Sequence, residues 1–80
     1  MPGMYFVVNT ALMPSVKRGN DTSLQLRDND NQVIQAVMLG TDTSLVPGVW
    51  ITNAKIKQRE REGVVYHILE SYDIYGREAA

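Results

Sequence analysis

Turn-forming residues divide this chain into five short apolar segments, and that spacing limits the fold more than any other feature. In the segment from 22 to 27, Leu24 and Leu26 alternate with Ser23 and Gln25, which is the period of two that marks a half-buried strand. The other segments span residues 5–13, 33–39, 49–57 and 64–75. Short strands separated by turns at this spacing predict an all-β chain.

Length and composition predict one small domain over residues 1–80, with little room for a deep enzyme pocket. The chain has no cysteine, which fits an intracellular, reducing compartment without distinguishing cytoplasm from nucleus. The first ten residues lack the features of a signal peptide, and no apolar run approaches the roughly 20 residues of a membrane span. One histidine and no cysteine argue against the usual zinc and cysteine-nucleophile chemistry, so we expect no enzyme, cofactor or metal.

Turn residues set the expected strand boundaries. Pro14 is expected to end the first strand because it has no N–H to donate to the ladder, and residues 15–21 are expected to form a polar loop. The sequence Asp-Asn-Asp-Asn at 28–31 predicts a hairpin, since both residue types tolerate the left-handed backbone of tight turns. A Pro-Gly pair at 47–48 turns the chain into the fourth strand, and residues 76–80 are expected to form a frayed tail.

The fourth segment does not alternate cleanly, because its apolar residues change parity midway. They are Val49, Ile51, Ala54 and Ile56. A β-bulge near residues 52–53 would place all four on one face, since one extra residue re-aims the side chains that follow it. The alternative is a helix over residues 53–62, which are rich in helix-forming types. The strand is favoured because such a helix would have only one large aliphatic residue to bury.

Two stretches of the sequence resemble a known family. Residues 26–33 read Leu-Arg-Asp-Asn-Asp-Asn-Gln-Val, and residues 45–57 read Leu-Val-Pro-Gly-Val-Trp-Ile-Thr-Asn-Ala-Lys-Ile-Lys. They are similar to the turn after strand two and the start of strand four in the OB-fold domains of replication protein A and archaeal single-stranded DNA-binding proteins. The resemblance implies a small five-stranded OB-fold-like barrel that binds single-stranded DNA or RNA without catalysis. Family members stack bases on aromatic residues of strand three, and residues 33–39 contain none.

Six of the eight Lys and Arg residues fall where an OB-fold binds oligonucleotides, because the loops after strands one and four flank its groove. Alternate residues of an extended chain point to the same side, so the four cations after residue 54 share a face. The expected phosphate contacts are Lys17, Arg18, Lys55, Lys57, Arg59 and Arg61. These six residues predict a stripe of positive charge on one surface, although the net charge of the whole chain is −1. The alternative is an ordinary solvated hairpin tip in which Glu60 and Glu62 neutralise their neighbours.

Binding of single strands without sequence preference also needs flat rings on which bases can stack. We expect Trp50 and Tyr66 to provide them. Trp50 has the opposite parity to the apolar residues on either side of it, and Tyr66 lies just after the basic hairpin. Packing in the core or at a sheet edge is the alternative for both rings. His67 and Tyr72 are further candidates.

The leading hypothesis is therefore a barrel that binds single-stranded nucleic acid, DNA in preference to RNA, through a basic and partly aromatic groove. A second hypothesis is a protein-interaction or assembly adaptor, including a homodimer, because residues 33–39 carry apolar side chains on both faces and leave a surface to cover. A third is a small viral inhibitor that occupies a host nucleic-acid-binding site. No membrane partner is expected.

Overall fold

The computed structural model describes residues 3–77, which form five strands joined by turns and short irregular segments. Five strands follow one another along the chain: β1 (Tyr5–Ser15), β2 (Gly19–Arg27), β3 (Val33–Met38), β4 (Val49–Arg61) and β5 (Val64–Arg77). They close into a ring in the order β1-β2-β3-β5-β4. The predicted fold class, an all-β, five-stranded OB-fold-like barrel, is confirmed as a barrel-like ring of strands. The described residues include no helix that is long and apolar enough to cross a membrane.

The ring is held by three extensive antiparallel pairings and two short contacts. β1 pairs with β2, β2 with β3, and β4 with β5 over most of their lengths. In contrast, β1 meets β4 only at Tyr5 and Phe6, and the parallel contact between β3 and β5 is one pair, Val37 with Ile68. The β1–β2 and β4–β5 hairpins therefore extend beyond the closed part of the ring as two arms.

The core lies inside the closed part of the ring and is small. Leu24 and Leu26 on β2 are fully buried, which confirms the alternation expected from the sequence. The buried apolar residues are Val7, Leu24, Leu26, Ala36, Leu45, Val49, Ile51 and Leu69. Burying each large aliphatic side chain in this core contributes about 1.5–3 kcal/mol to the stability of the closed part of the ring.

The predicted bulge in the fourth strand is confirmed. The register of β4 against β5 shifts between Thr52 and Lys55, and Asn53 has a φ of 54°, a left-handed conformation that Asn adopts more readily than most residues. As a result, Ala54 and Ile56 pack against the same core as the residues before the bulge. The strand continues to Arg61, so the alternative of a helix over residues 53–62 is wrong.

The predicted end of the first strand is wrong, and so is the predicted extent of the loop that follows it. β1 continues through Pro14 to Ser15, because it pairs only with β2 in this arm and a proline is tolerated on a free strand edge. The expected polar loop shrinks to a turn at residues 16–18, followed by Gly19 with a φ of 80°.

The prediction of a frayed tail over residues 76–80 is wrong for its first two residues. Gly76 and Arg77 belong to β5, where they pair with Trp50 and Val49. The rest of that prediction, residues 78–80, lies outside the described residues.

Candidate nucleic-acid interface

The β4–β5 arm sorts its charges onto two faces. Arg59 lies directly opposite Tyr66, and Arg61 lies opposite Val64. Opposed residues of an antiparallel pair share a face, and successive residues alternate between faces. One face therefore carries Lys57, Arg59, Arg61, Val64, Tyr66 and Ile68, and the other carries Gln58, Glu60, Val65 and His67. The alternation of Arg and Glu at 59–62 thus places the two arginines on one face of the arm and Glu60 on the other. We call the face with the arginines the cationic face.

The cationic face borders a groove of about 490 Å³ on the outside of the ring. We call this cavity the groove. It is lined by Met13, Asp21, Val37, Leu39, Arg59, Glu60, Arg61, Tyr66 and Ile68. The first two residues come from the β1–β2 arm, the next two from β3 and the segment after it, and the rest from the β4–β5 arm. Both arms therefore meet along one edge of the ring, on either side of an apolar floor.

The groove exposes flat and apolar surface to solvent. Leu39 is 52% exposed and Tyr66 is 44% exposed, although both lie beside other apolar side chains of the same groove. An exposed aromatic ring on an apolar floor is a surface on which a nucleobase can stack. Guanidinium groups at the rim supply hydrogen-bond donors for phosphate. The arrangement can therefore hold an anionic chain that also carries flat rings.

Arg59 and Arg61 have no ionic partner within residues 3–77, where the one salt bridge joins Arg18 to Asp21. The residues opposite the two arginines are Tyr66 and Val64. Neither Glu60 nor Glu62 forms a salt bridge with either arginine within the described residues, although Glu60 also lines the groove.

Arg18 is held differently. Its Nε and Nη2 donate to the two carboxylate oxygens of Asp21, at 2.7 and 3.0 Å, and the backbone N–H of Gly40 donates to the same carboxylate at 2.7 Å. These hydrogen bonds, from Arg18 first and then from Gly40, lower the pKa of Asp21 to about 2. Because Asp21 itself lines the groove, the network places Arg18 near the groove but neutralises its charge and ties the β1–β2 arm to the end of β3.

The three predicted lysine contacts do not line the groove. Lys57 lies on the cationic face of the β4–β5 arm and is exposed. Lys55 is exposed opposite Ser71, just before another irregularity in the register. Lys17 is exposed in the turn between β1 and β2. Of the six predicted phosphate contacts, the structure brings only Arg59 and Arg61 into the groove directly.

Trp50 lies away from the groove. It is half-buried and packs against Phe6, with ring centroids 5.1 Å apart and planes inclined by 57°. The guanidinium carbon of Arg27 lies 4.8 Å from the centre of the Phe6 ring. The ring–ring contact and the cation–π contact stabilise the pairing of β1 with β4. The structure therefore places Trp50 in edge packing, the alternative to stacking on bases.

A second cavity, of about 450 Å³, adjoins the groove and shares Leu39, Arg59 and Ile68 with it. Tyr72 lines this cavity and donates its hydroxyl hydrogen to Asp42. Burial and this bond raise the pKa of Tyr72, whereas hydrogen bonds from Ser44 and Tyr72 lower the pKa of Asp42. Tyr72 is thus occupied in fixing the loop before β4.

The apolar floor of the groove was not predicted as part of the nucleic-acid site. Val37 and Leu39 belong to it, and the signal for them was the presence of apolar side chains on both faces of the third segment, since only one of those faces can line the core. Asp21 was also missed, because its partners come from the turn before it and from Gly40. No group of three or more His, Asp, Glu or Cys residues placed to hold a metal ion occurs within residues 3–77.

The chain matches no family model, no curated protein and no solved structure. Its function must therefore be argued from the groove itself.

Proposed function

We propose that this protein binds single-stranded nucleic acid, DNA in preference to RNA, in the groove and without catalysis. The observation that carries the proposal is the pair of guanidinium groups, Arg59 and Arg61, next to the exposed ring of Tyr66 on an apolar floor. Phosphate binding and base stacking are the two interactions that single-strand binding without sequence preference requires.

The spacing of the cations suits a phosphate track. Lys57, Arg59 and Arg61 occupy alternate positions of one strand, so neighbouring members are about 7 Å apart along it. Each can then contact a different phosphate of an extended chain, with Lys57 just outside the groove. The bases would turn towards Tyr66 and the apolar floor, which requires them to be unpaired.

A duplex does not fit this arrangement, because its bases are stacked on one another and turned away from the phosphates. The net charge of −1 supplies no general attraction for a polyanion, so affinity must come from the local cationic face. Binding should therefore be modest and should weaken steeply as salt rises, as expected for contacts that release counterions.

The direct test is fluorescence anisotropy with a labelled oligothymidine, titrated at several salt concentrations. The double variant R59A/R61A should bind at least tenfold more weakly, and the slope of log K against log salt should fall by about 1.4, or 0.7 for each lost phosphate contact. The matched control is K17A/K55A, which removes the same charge from exposed positions outside the groove and should leave affinity much closer to that of the wild type. Equal losses in the two double variants would show that charge, rather than the groove, governs binding.

Preference for DNA is tested by repeating the titration with oligouridine and oligodeoxyuridine of equal length. These probes share a base and differ in the sugar, so tighter binding of the deoxy form supports the proposal. Tighter binding of oligouridine would reverse the proposed preference while leaving the role of the groove intact.

A further inference from the structure

A cleft separates two parallel strands that touch at only one point. β3 and β5 pair only through Val37 and Ile68, and on the side towards the start of both strands a space of about 390 Å³ lies between them. We call this space the cleft. It is lined by Ser23, Val33, Ile34, Gln35, Ala36, Val37, Val65, Tyr66 and His67. One edge of each strand therefore has no strand partner here among the described residues.

The edges that border the cleft lack the protection that the other free edges carry. Proteins block unwanted pairing of exposed strand edges with proline or with charged side chains, lysine above all. The free edge of β1 carries Pro14, and the free edge of β4 carries Lys55 and Lys57. The stretches of β3 and β5 along the cleft, residues 33–36 and 64–67, contain neither proline nor a lysine, arginine or carboxylate.

The cleft exposes apolar side chains on both walls, beside the uncharged polar side chains of Ser23 and Gln35. Val33 is 54% exposed and Val65 is 53% exposed, on opposite walls. Backbone donors and acceptors on its walls suit a ligand with the same groups at the repeat of a strand, about 3.3 Å per residue. A small apolar molecule would leave those backbone groups unpaired, whereas a peptide strand would satisfy them.

We propose that the cleft binds an extended peptide segment of a protein partner, which adds a strand along the free edge of β3 over residues 33–36. The side chains that enter the cleft would be uncharged and β-branched, because no charged residue lines it. Tyr66 lines both the cleft and the groove that holds Arg59 and Arg61. An acidic residue just beyond the apolar stretch of the peptide would therefore meet those two guanidinium groups. Strand addition of this kind obtains affinity from backbone hydrogen bonds and specificity from alternate side chains.

The probe is a fluorescein-labelled synthetic peptide with two glutamates followed by three Thr-Val repeats. We expect the wild-type chain to bind it in the micromolar range, as is usual for a small transient interface. The variant V65K places a charge on the wall of the cleft and should bind at least about tenfold more weakly, since the uncharged side chains of the peptide would have to pack against that charge. The matched control is V16K. Val16 is fully exposed in the turn between β1 and β2 and does not line the cleft, so its substitution should leave binding nearly unchanged.

A second peptide keeps the test independent of variant folding. It has the same side chains, but every second backbone nitrogen is methylated. The methylated nitrogens are those on the edge that would pair with β3, so that edge has no N–H to donate. The wild-type chain should not bind it. Equal binding of both peptides, or equal binding by V65K and wild type, would overturn strand addition at the cleft.

Sedimentation of the wild-type chain without peptide distinguishes a partner from a second copy. A monomer supports the proposal. A dimer that V65K dissociates would overturn it by showing that another copy of this chain occupies the cleft. Oligothymidine binding by V65K should stay near the wild-type value, so loss of peptide binding and failure of the nucleic-acid proposal are separate results.

Discussion

The two hairpin arms both carry arginines towards the groove, but they use them in different ways. In the β1–β2 arm, Arg18 is paired through two hydrogen bonds with Asp21. In the β4–β5 arm, Arg59 and Arg61 lie opposite Tyr66 and Val64 and have no ionic partner among the described residues. The first arginine fixes a turn, whereas the other two remain available to a ligand. All three arginines lie near the groove, so it is the partner of each one that separates a structural contact from a candidate ligand contact.

The largest expected effect concerns the aromatic ring of Tyr66, which the β4–β5 arm presents to the groove. Substitution Y66A removes the stacking surface and should weaken binding of oligothymidine by about 1–3 kcal/mol, the usual loss for one stacked base. Substitution Y66F keeps the ring and should retain most of the affinity. Fluorescence anisotropy at fixed salt compares them, and equal losses in Y66A and Y66F would mean that the hydroxyl group, not stacking, is responsible.

The second prediction separates the two kinds of arginine. Substitution R59A should weaken oligothymidine binding by about 1 kcal/mol, because contacts between exposed charges are screened by solvent, and should leave the denaturation midpoint almost unchanged. Substitution R18A should do the opposite, with a lower midpoint and an affinity close to that of the wild type. Anisotropy and urea unfolding on the same samples measure both quantities. A loss of affinity in R18A as large as that in R59A would contradict the distinction between the arms.

The smallest expected effect is the pH dependence of the anchor in the β1–β2 arm. The pKa of Asp21 is lowered in the folded chain from 3.8 to about 2, so its carboxylate stabilises the fold fully above the unfolded pKa. That contribution is lost as the pH falls from about 4 through about 2. Urea midpoints measured between pH 5 and pH 2 should fall less steeply for D21N than for the wild type. Asn still offers an oxygen to the N–H of Gly40, so D21N should fold. Parallel profiles would show that Asp21 is not the group responsible.

Much of the fold was predictable because it depends on local patterns. Alternation in β2 and the parity change in β4 follow from the period of a strand, and the bulge at Asn53 follows from the need to bury apolar residues on both sides of it. The continuation of β1 through Pro14 was not predictable, since it depends on whether the far edge of that arm has a neighbour.

The candidate site was predictable only in part. The cationic face of the β4–β5 arm follows from parity along one strand. In contrast, the pairing of Arg18 with Asp21 and Gly40, and the packing of Trp50 on Phe6, depend on contacts between strands. Residues of the same type therefore received the same role from the sequence, although their neighbours in the folded chain differ.

The most direct test of the account is a map of backbone amide chemical shifts on the isotopically labelled chain, titrated with oligothymidine at low salt. The account predicts the largest changes at Val37, Leu39, Tyr66 and Ile68, with small changes around Trp50. Changes centred on Trp50 and Phe6, or no changes at saturating oligonucleotide, would contradict the assignment of the groove.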